Sequence, residues 1–353
     1  MKIMSVVGAR PQFVKLAPIS WAMAEAEVEH EVVHTGQHYA PALSGDFFRD
    51  LNIPEPVVDL AVGSGSHAQQ TSRMLSWLEP AFVKHEPDCV LVYGDTNSTL
   101  AAALAASKMG IPIAHLEAGL RSFNRSMPEE INRIVTDHVS SLLLAPTSLA
   151  MSNLTNEGLA DASVQTGDVM TDVCYFVRDK IKNEPPGARA VVCDDEFILA
   201  TIHRPANTDR PERLADILQS LDSLPERVVL PAHPRLVARA KEFELPLDRK
   251  NISVVDPLPY PELISAAARA AAIVTDSGGL QKEAFLLRTP CVTVRAETEW
   301  VETLDLGWNI LCPEPGGMVE ALASLSPAET DAAPYGSGNA AALAVEAILS
   351  RKF

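Results

Sequence analysis

Short apolar runs rich in β-branched residues alternate along this chain with longer segments of helical pattern, and this alternation restricts the fold more than any other feature. Nearly continuous apolar strands separated by helices are typical of parallel sheets whose two faces are both covered. In the first half of the chain the runs occupy residues 3–7, 32–33, 89–93, 113–116 and 142–145. In the second half they occupy residues 197–201, 228–231, 252–255, 273–275 and 291–294. The sequence therefore predicts an α/β protein with two doubly wound domains.

The alternation stops once near the middle of the chain, which indicates a boundary between the two domains. Residues 183–190 read Asn-Glu-Pro-Pro-Gly-Ala-Arg-Ala, a composition typical of a linker. A length of 353 residues also fits two domains of about 150 residues each. We expect a first domain over residues 1–182, a second domain over residues 183–338, and a last helix from residue 339 onwards.

Charge and cysteine content argue against several classes of partner and site. The 29 Lys and Arg against 46 Asp and Glu give a net charge of −17, which argues against nucleic acid or an anionic membrane as the partner. The five cysteines are scattered without a Cys-x-x-Cys pair, so neither a disulfide framework nor a structural zinc site is expected. Because the first residues read as a strand and no run approaches about 20 apolar residues, we expect a cytoplasmic protein.

Polar residues follow many of the predicted strands, where doubly wound sheets bind their ligands. Any one of them is more often a cap or turn residue than a functional group, but the pattern as a whole favours a site. Because both halves of the chain contribute, we expect this site in a cleft between the domains. The residues concerned are Arg10, residues 35–38, Asp95, Glu117, residues 203–204, His233 and residues 276–279.

A glycine turn at residues 275–279 stands between a predicted strand and a predicted helix. Such a helix start can bind phosphate through free N–H groups and the helix dipole, although it often serves only tight packing. The Gly-x-Gly-x-x-Gly and P-loop patterns are absent, which argues against a dinucleotide dehydrogenase and a P-loop NTPase. Glu283 could compensate the dipole or accept ribose hydroxyls. Arg10 and Lys15 could neutralise a diphosphate or be solvated surface charges.

Four carboxylates at strand ends or at a helix start are the most informative polar residues: Asp95, Glu117, Glu129 and Glu130. A cluster of carboxylates around one cleft can abstract and return a proton. They could instead be capping residues, since acids are favoured in the first turn that follows Pro128, and the residues alone do not separate Glu129 from Glu130 in this respect. No metal-ligand spacing is present.

Seven motifs occur in a fixed order along the chain. They are Gly-Ala-Arg-Pro at 8–11, Thr-Gly-Gln-His at 35–38, Gly-Asp-Thr at 94–96, His-Leu-Glu-Ala-Gly-Leu-Arg at 115–121, Pro-Glu-Glu-Ile-Asn-Arg at 128–133, His-Arg at 203–204 and Asp-Ser-Gly-Gly-Leu-Gln at 276–281. With these motifs the chain resembles the non-hydrolysing UDP-N-acetylglucosamine 2-epimerases from Lys2 to about Cys312. The resemblance implies two Rossmann-like domains of the glycosyltransferase-B type, a last helix that packs back on the first domain, a UDP-sugar substrate and a homodimer.

The resemblance also implies a reaction that inverts C2 of the sugar without a redox cofactor. The enzyme removes the C2 proton, expels UDP to give a 2-acetamidoglucal, and adds UDP back after protonation on the other face. Asp95, Glu117 and Glu129 match the acid–base carboxylates of the family, and His203 matches the histidine that assists the diphosphate. The remaining matches are substrate-binding positions: Arg10, Lys15, Arg133, Leu263, Ser277, Gly278, Gly279 and Glu283.

Two departures from the family pattern bear on specificity. Trp300 stands where many relatives carry Arg, which raises UDP-2,3-diacetamido-2,3-dideoxyglucuronate as a second possible substrate. Ala40 replaces a glutamine that in bacterial relatives helps to bind an activating second UDP-GlcNAc, so we expect weak or absent activation. The chain could also be a hydrolysing relative that releases N-acetylmannosamine and UDP, a glycosyltransferase of the same architecture, or a non-catalytic nucleotide-sugar sensor.

Overall fold

The computed structural model describes residues 1–37, 53–183 and 196–353, and of Arg10 only the backbone. These residues form two compact units, Met1–Val173 with Ala333–Phe353, and Cys174–Ala332. The predicted boundary followed residue 182, whereas the division found here falls inside a helix, between Val173 and Cys174. The predicted linker at 183–190 lies outside the described residues from 184 onwards.

The first unit contains a parallel sheet whose described strands run in the order β3-β2-β1-β4-β5-β6-β7. The order reverses between β1 and β4, which is the arrangement of a doubly wound sheet. The strands are β1 Lys2–Val7, β2 Glu29–His34, β3 Val58–Asp59, β4 Cys89–Tyr93, β5 Ile113–Leu116, β6 Leu142–Ala145 and β7 Ser163–Gln165. The helices are α1 Arg10–Glu25, α2 His67–His85, α3 Asn97–Met109, α4 Pro128–Val139, α5 Ser148–Asn156 and α6 Val169–Lys182, with a 3₁₀ turn at Ala160–Ala162.

Alternate residues of β1 enter different hydrophobic cores, which shows that helices cover both faces of this sheet. Ile3 and Val7 belong to one core, which α1 and the last helix line. Met4 and Val6 belong to a second core, which α2 and α3 line. Since successive side chains of a strand point to opposite faces, a strand that is apolar throughout must be buried on both sides.

The last helix, α14 Ala340–Ser350, belongs to the first unit. Its apolar face packs against α1 in the core of that unit. Its first turn is capped from α6, because the Asp172 carboxylate accepts hydrogen bonds from the N–H groups of Ala340 and Ala341 at 3.0 and 2.8 Å. A carboxylate at a helix N-terminus satisfies free N–H groups and stabilises the dipole.

The second unit contains a parallel sheet in the order β10-β9-β8-β11-β12-β13, which reverses between β8 and β11. The strands are β8 Phe197–Thr201, β9 Arg227–Pro231, β10 Ile252–Val255, β11 Ala272–Thr275, β12 Cys291–Thr293 and β13 Asn309–Leu311. The helices are α7 Pro205–Thr208, α8 Pro211–Asp222, α9 Pro234–Glu242, α10 Tyr260–Arg269, α11 Gly278–Leu287, α12 Val301–Asp305 and α13 Met318–Ser324, with a 3₁₀ turn at Pro315–Gly317. Hydrophobic cores lie on both faces of this sheet as well. The prediction of two doubly wound parallel sheets is confirmed.

A half-buried histidine in the first unit makes the stability of that unit depend on pH. The Ser5 hydroxyl bonds His30 Nε2 at 2.8 Å and the Tyr93 hydroxyl at 2.7 Å, and burial lowers the pKa of His30 to about 4. The folded chain therefore keeps His30 neutral at pH values at which the unfolded chain, with a histidine pKa near 6.5, binds a proton. The contribution of His30 to the free energy of unfolding is fully present above about pH 6.5. The free energy of unfolding then falls by about 3 kcal/mol as the pH drops to about 4.

Urea unfolding midpoints measured between these two pH values test this dependence. We expect His30→Gln, which keeps a polar partner for Ser5 but does not titrate, to lose much of the acid destabilisation. The matched substitution at the exposed His138 is expected to leave the pH dependence as it is. Equal pH dependence of the parent protein and His30→Gln would contradict the prediction.

Candidate active site

In the first unit, the predicted acid–base residues lie beyond the carboxyl ends of β4 and β5. Asp95 follows β4 after Gly94, and Glu117 directly follows β5. Tyr93 pairs with Leu116 in the parallel ladder that joins these strands, so the two turns lie side by side. β4 also flanks the reversal of strand order, where doubly wound sheets bind their ligands.

Lys15 of α1 makes a hydrogen bond and an ion pair with the Oε2 atom of Glu117. The two side chains are 15% and 13% exposed, so little water screens the pair. Gly94 leaves room for it, because a Cβ there would lie 3.0 Å from Glu117 Oε2 and 3.5 Å from Lys15 Nζ. Burial disfavours the ammonium, but the charge and hydrogen bond of Glu117 outweigh burial, so the pKa of Lys15 lies above its usual range. The ion pair therefore fixes the carboxylate of Glu117 beside the turn that follows β4.

Arg133 of α4 holds the second carboxylate of this edge. Its Nη1 atom lies 2.5 Å from Asp95 Oδ2, and its Nη2 atom lies 2.8 Å from Glu130 Oε2. The side chain of Asn132 donates to the carbonyl of Asp95 at 2.8 Å. The start of α4 therefore fixes both the backbone and the carboxylate of Asp95.

The two neighbouring glutamates at the start of α4 have different surroundings. Glu130 is buried, and its carboxylate accepts hydrogen bonds from the backbone N–H groups of Ser122 and Phe123, both at 2.9 Å. Burial disfavours its charge, but these bonds and Arg133 outweigh burial and lower the pKa of Glu130. Glu129 is exposed in the first turn. Glu130 therefore holds the loop before α4, and Glu129 is the glutamate of this pair that a ligand can reach.

Gln12, which the sequence analysis did not identify, joins the turns that follow β1 and β4. The Oε1 atom of this buried residue accepts hydrogen bonds from the N–H groups of Gly8 and Ala9 at 2.8 and 3.0 Å. Its Nε2 atom donates to the carbonyl of Tyr93 at 2.8 Å. The available signal was its place as the third residue of a helix, where Gln often bonds back to the preceding backbone.

In the second unit, the buried Asp276 organises the turn that follows β8. Its carboxylate accepts hydrogen bonds from the N–H groups of His203 and Arg204, at 3.0 and 2.9 Å, and from the Asn207 side chain at 3.1 Å. His203 Nδ1 lies 3.3 Å from Asp276 Oδ1, which favours a proton on Nδ1. The side chain of His203 is 36% exposed, so a ligand can approach this ring.

The start of α11 combines a serine cap with two glycines. The Ser277 hydroxyl accepts a hydrogen bond from the N–H group of Leu280 at 3.4 Å, and a Cβ at Gly279 would meet no other atom within 4 Å. At Gly278, by contrast, a Cβ would lie 2.5 Å from the carboxylate of Glu299. This helix start is therefore open at Gly279 and covered by an acidic side chain at Gly278.

Glu299 is itself paired with two arginines. Arg295 Nη1 lies 2.9 Å from Glu299 Oε2, and Arg204 Nη2 lies 3.8 Å from Glu299 Oε1. Three charged groups thus meet beside the predicted phosphate-binding turn. The contact of Glu299 with the two arginines could not be predicted from local sequence, because it depends on the folded course of residues 295–299.

The other residues of the second unit that were singled out from the sequence are buried or half-buried. Glu283 is buried in α11. Leu263 is half-buried and packs against the core beneath α10 and α11. Trp300 is 6% exposed and lies under the ammonium of Lys282, 4.1 Å from the ring centroid. Trp300 is therefore a packing residue, and little of its ring is available to a ligand.

Within each unit, then, the structure brings several of the predicted site residues together. In the first unit these are Lys15, Asp95, Glu117 and Arg133. In the second they are His203, Ser277 and Gly278, which Asp276 and Arg204 connect. The side chain of Arg10 and the whole of His38 and Ala40 lie outside the described part of the chain. In residues 1–37, 53–183 and 196–353, no group of three or more His, Cys, Asp or Glu is arranged to hold a metal ion.

Comparisons with known proteins show what this chain is similar to. Residues 22–349 match the family model described as UDP-N-acetylglucosamine 2-epimerase. A UDP-N-acetylglucosamine 2-epimerase homolog of Methanococcus maripaludis is 45% identical over 355 residues, which cover 99% of each chain. The UDP-2,3-diacetamido-2,3-dideoxy-D-glucuronate 2-epimerase of Pseudomonas aeruginosa is 46% identical over 356 residues, which cover 98% of this chain and 99% of that one.

A solved structure extends the similarity to three dimensions. The crystal structure of Methanocaldococcus jannaschii UDP-GlcNAc 2-epimerase in complex with UDP-GlcNAc and UDP aligns with a TM-score of 0.88 and 38% identity, over 99% of each chain. Together with the two parallel sheets, this similarity confirms the prediction of Rossmann-like units of the glycosyltransferase-B type.

Proposed function

Because the chain belongs to the UDP-N-acetylglucosamine 2-epimerase family and is therefore an isomerase, we propose that it interconverts UDP-GlcNAc and UDP-ManNAc. The observation that carries this proposal is the pair of cation–carboxylate contacts at one sheet edge, Lys15 with Glu117 and Arg133 with Asp95. Two adjacent carboxylates can take a proton from carbon and return one, which inversion at C2 requires.

The reaction proceeds by elimination and addition. A carboxylate removes the C2 proton, the C2–H electron pair forms the C1=C2 bond of a 2-acetamidoglucal, and the C1–O bond breaks with its electron pair leaving on UDP. For the return, an acid delivers a proton to the opposite face of C2, and the UDP oxygen forms a new C1–O bond. Asp95, Glu117 and Glu129 serve as the acid–base residues.

The second unit supplies the groups that bind UDP and stabilise it as it leaves. Asp276 Oδ1 lies 3.3 Å from Nδ1 of the His203 ring, and when Nε2 also carries a proton, its N–H group can donate to the charge that develops on the diphosphate. The start of α11 offers N–H groups and the positive end of the helix dipole to the same charge. Glu283 accepts the ribose hydroxyls, and Leu263 contacts the uracil. The remaining substrate-binding residues are Arg10, Lys15, Arg133, Ser277, Gly278 and Gly279.

Incubation of the enzyme with UDP-GlcNAc in heavy water, followed by NMR of the products, tests this function. We expect UDP-ManNAc with deuterium at C2, because the proton that a carboxylate removes exchanges with solvent before a second proton is delivered. Full retention of the C2 proton in the product would contradict the mechanism. Free N-acetylmannosamine and UDP as the products would instead identify the hydrolysing reaction.

A second candidate substrate is UDP-2,3-diacetamido-2,3-dideoxyglucuronate, which the similarity to the Pseudomonas aeruginosa enzyme favours. Its sugar carboxylate needs a cation, and Arg204 and Arg295 lie beside the phosphate-binding turn. Both already pair with Glu299, so an acidic sugar would have to compete with that side chain. The additional acetamide needs an apolar wall, and the burial of Trp300 argues against this residue in that role.

The same NMR assay on both substrates decides between them. We expect UDP-GlcNAc to have the higher kcat/KM. A preference of at least tenfold for the diacetamido acid, equivalent to about 1.4 kcal/mol, would reverse the assignment.

The assembly and the cellular compartment are part of the same proposal. Trp77 and Val83 of α2 are exposed apolar side chains, 45% and 63% exposed, and exposed apolar surface is typical of a contact between subunits. Cys89, Cys174 and Cys312 are among the free and buried cysteines, which suits a reducing compartment. We therefore expect a cytoplasmic homodimer. Sedimentation equilibrium that gives the monomer mass at micromolar concentration would exclude the dimer.

In the described parts of the chain, none of the helices is long and apolar enough to cross a membrane.

A further inference from the structure

A fully buried histidine lies directly behind the two candidate acid–base turns. His115 is the third residue of β5, and its side chain is 0% exposed. Its Nε2 atom lies 2.8 Å from the carbonyl oxygen of Gly94, and its Nδ1 atom lies 2.6 Å from Asp137 Oδ1. A carbonyl oxygen can only accept a hydrogen bond, so Nε2 carries a proton.

The state of Asp137 decides whether Nδ1 carries a proton too. Asp137 is also 0% exposed, and its Oδ2 atom accepts hydrogen bonds from the N–H group of Gly119 at 3.1 Å and from Arg121 Nη2 at 2.7 Å. Burial opposes its charge, but the guanidinium of Arg121, which is always charged, and the N–H group of Gly119 stabilise the ionised carboxylate. An ionised carboxylate can only accept. Both ring nitrogens of His115 therefore donate, and the ring is an imidazolium.

The surrounding charges explain how a buried imidazolium is tolerated. Arg121 binds Glu157 through two hydrogen bonds, both of 2.7 Å. The two cations His115 and Arg121 and the two anions Asp137 and Glu157 then sum to zero charge. His138 also faces this cluster, 3.9 Å from Glu157. A buried ion pair persists where such partners and hydrogen bonds replace the lost water.

We propose that His115 is a positioning residue that, through hydrogen bonds at both ring nitrogens, fixes the backbone on both sides of the Asp95–Glu117 pair. Its Nε2–H group binds the peptide that leads into Asp95, and through Asp137 it is connected to the N–H group of Gly119, two residues beyond Glu117. The role in epimerisation rests on the proposed function, but the protonation state does not.

The backbone conformation shows why such a clamp is needed. Gly94, Glu117 and Gly119 all have positive φ angles, of 61°, 72° and 81°. Glycine adopts this conformation freely, but for Glu117 it costs about 1–3 kcal/mol and persists only where the surroundings enforce it. His115 and Asp137 form a clamp that holds Gly94 in the neighbouring turn and Gly119 two residues beyond Glu117. A neutral ring would leave one of its two nitrogens without a proton to donate.

The positioning role excludes direct proton transfer by His115. Both of its nitrogens are engaged, so the ring has no lone pair to accept a proton from substrate. Its complete burial also keeps it out of contact with substrate. A displacement of reacting groups by about 1 Å can cost about 100-fold in rate, and this is the effect that the clamp prevents.

NMR of the nitrogen-15 histidine-labelled enzyme tests the protonation state without any assumption about the reaction. We expect two slowly exchanging ring N–H signals from His115 at neutral pH, because both ring nitrogens lie against acceptor oxygens and the side chain is fully buried. His115→Gln assigns the signals by their loss, and His138→Gln is the control that leaves them unchanged. A His115 ring with a single N–H signal would overturn the inference.

Kinetics of Asp137→Asn tests the positioning role. We expect a kcat that is about 10–100-fold lower, a KM and an affinity for UDP within about twofold of the parent, and slower incorporation of deuterium at C2. His138→Gln is expected to keep the parental kcat. Unchanged kcat in a folded Asp137→Asn variant that has lost the second N–H signal would refute the role. If the parent shows both signals but no epimerisation, the proposed function fails while the protonation state stands.

Discussion

Replacing Glu117 by Gln is expected to lower kcat for epimerisation by about 10²–10⁴-fold, with KM changed far less. The amide has the shape of the carboxylate but cannot accept a proton from carbon. It also leaves the ammonium of Lys15 beside a neutral group in a site where each side chain is mostly buried. Initial rates in both directions and deuterium incorporation at C2 measure the loss.

Control variants separate proton transfer from the general effect of removing a charge. Asp95→Asn is expected to cause a loss of similar size, whereas Glu79→Gln, on the exposed side of α2, should behave as the parent. Lys15→Met keeps the carboxylate but removes its cation, and we expect it to be less damaging than Glu117→Gln. A rate for Glu117→Gln within a few-fold of the parent would remove Glu117 from the acid–base residues.

Much of the fold and part of the site could be predicted because they depend on local sequence. Strands such as β4 and β6 are apolar throughout, and this pattern alone requires burial on both faces of a sheet. Parallel strands then bring their following turns to one edge, which is why Asp95 and Glu117 could be predicted to lie close together. His203 and Ser277 follow β8 and β11 in the same way.

What could not be predicted depends on contacts between residues that are distant in sequence. Gln12 donates a hydrogen bond to the carbonyl of Tyr93, and Asp137 bonds His115. No local sequence pattern predicts either hydrogen bond. The same is true of Glu130, whose role follows from the loop at Ser122 that folds back on it. The residue pattern alone left capping and catalysis open for both glutamates. The family resemblance favoured Glu129, and in the structure the burial of Glu130 distinguishes the two residues.

The boundary between the units differs from the prediction for a related reason. A linker-like composition indicates a segment between domains. It does not show which hydrophobic core the helix before that segment packs into. Helix α6 contributes Val169 to the core of the first unit, while Cys174 in the same helix is buried in the second unit, within reach of the charges of Glu283 and Lys282. A continuous helix can serve both units, so the unit boundary need not coincide with the linker.

Asp276→Asn is the substitution expected to affect the second unit most. The amide keeps the size of the side chain, but its NH₂ group must face one of the donors that the carboxylate now accepts, the N–H groups of His203 and Arg204 or the side chain of Asn207. Hydrogen bonds to a charged acceptor contribute about 1.5–3 kcal/mol each. Loss of two of them should cost about 3–5 kcal/mol in the local stability of the turn after β8.

Two measurements follow from this loss of stability. Hydrogen exchange should be faster at the backbone amides of His203 and Arg204. Calorimetry should show an affinity for UDP that is at least about tenfold lower, because a turn that is no longer fixed must be ordered when the diphosphate binds. Asp209→Asn is the matched control, since Asp209 is half-exposed and pairs with Arg235 and Arg239 at the surface, where ion pairs contribute little. Parental exchange at residues 203–204 together with parental UDP affinity in Asp276→Asn would show that the turn is held by its own backbone, and that the carboxylate beneath it does not organise the site.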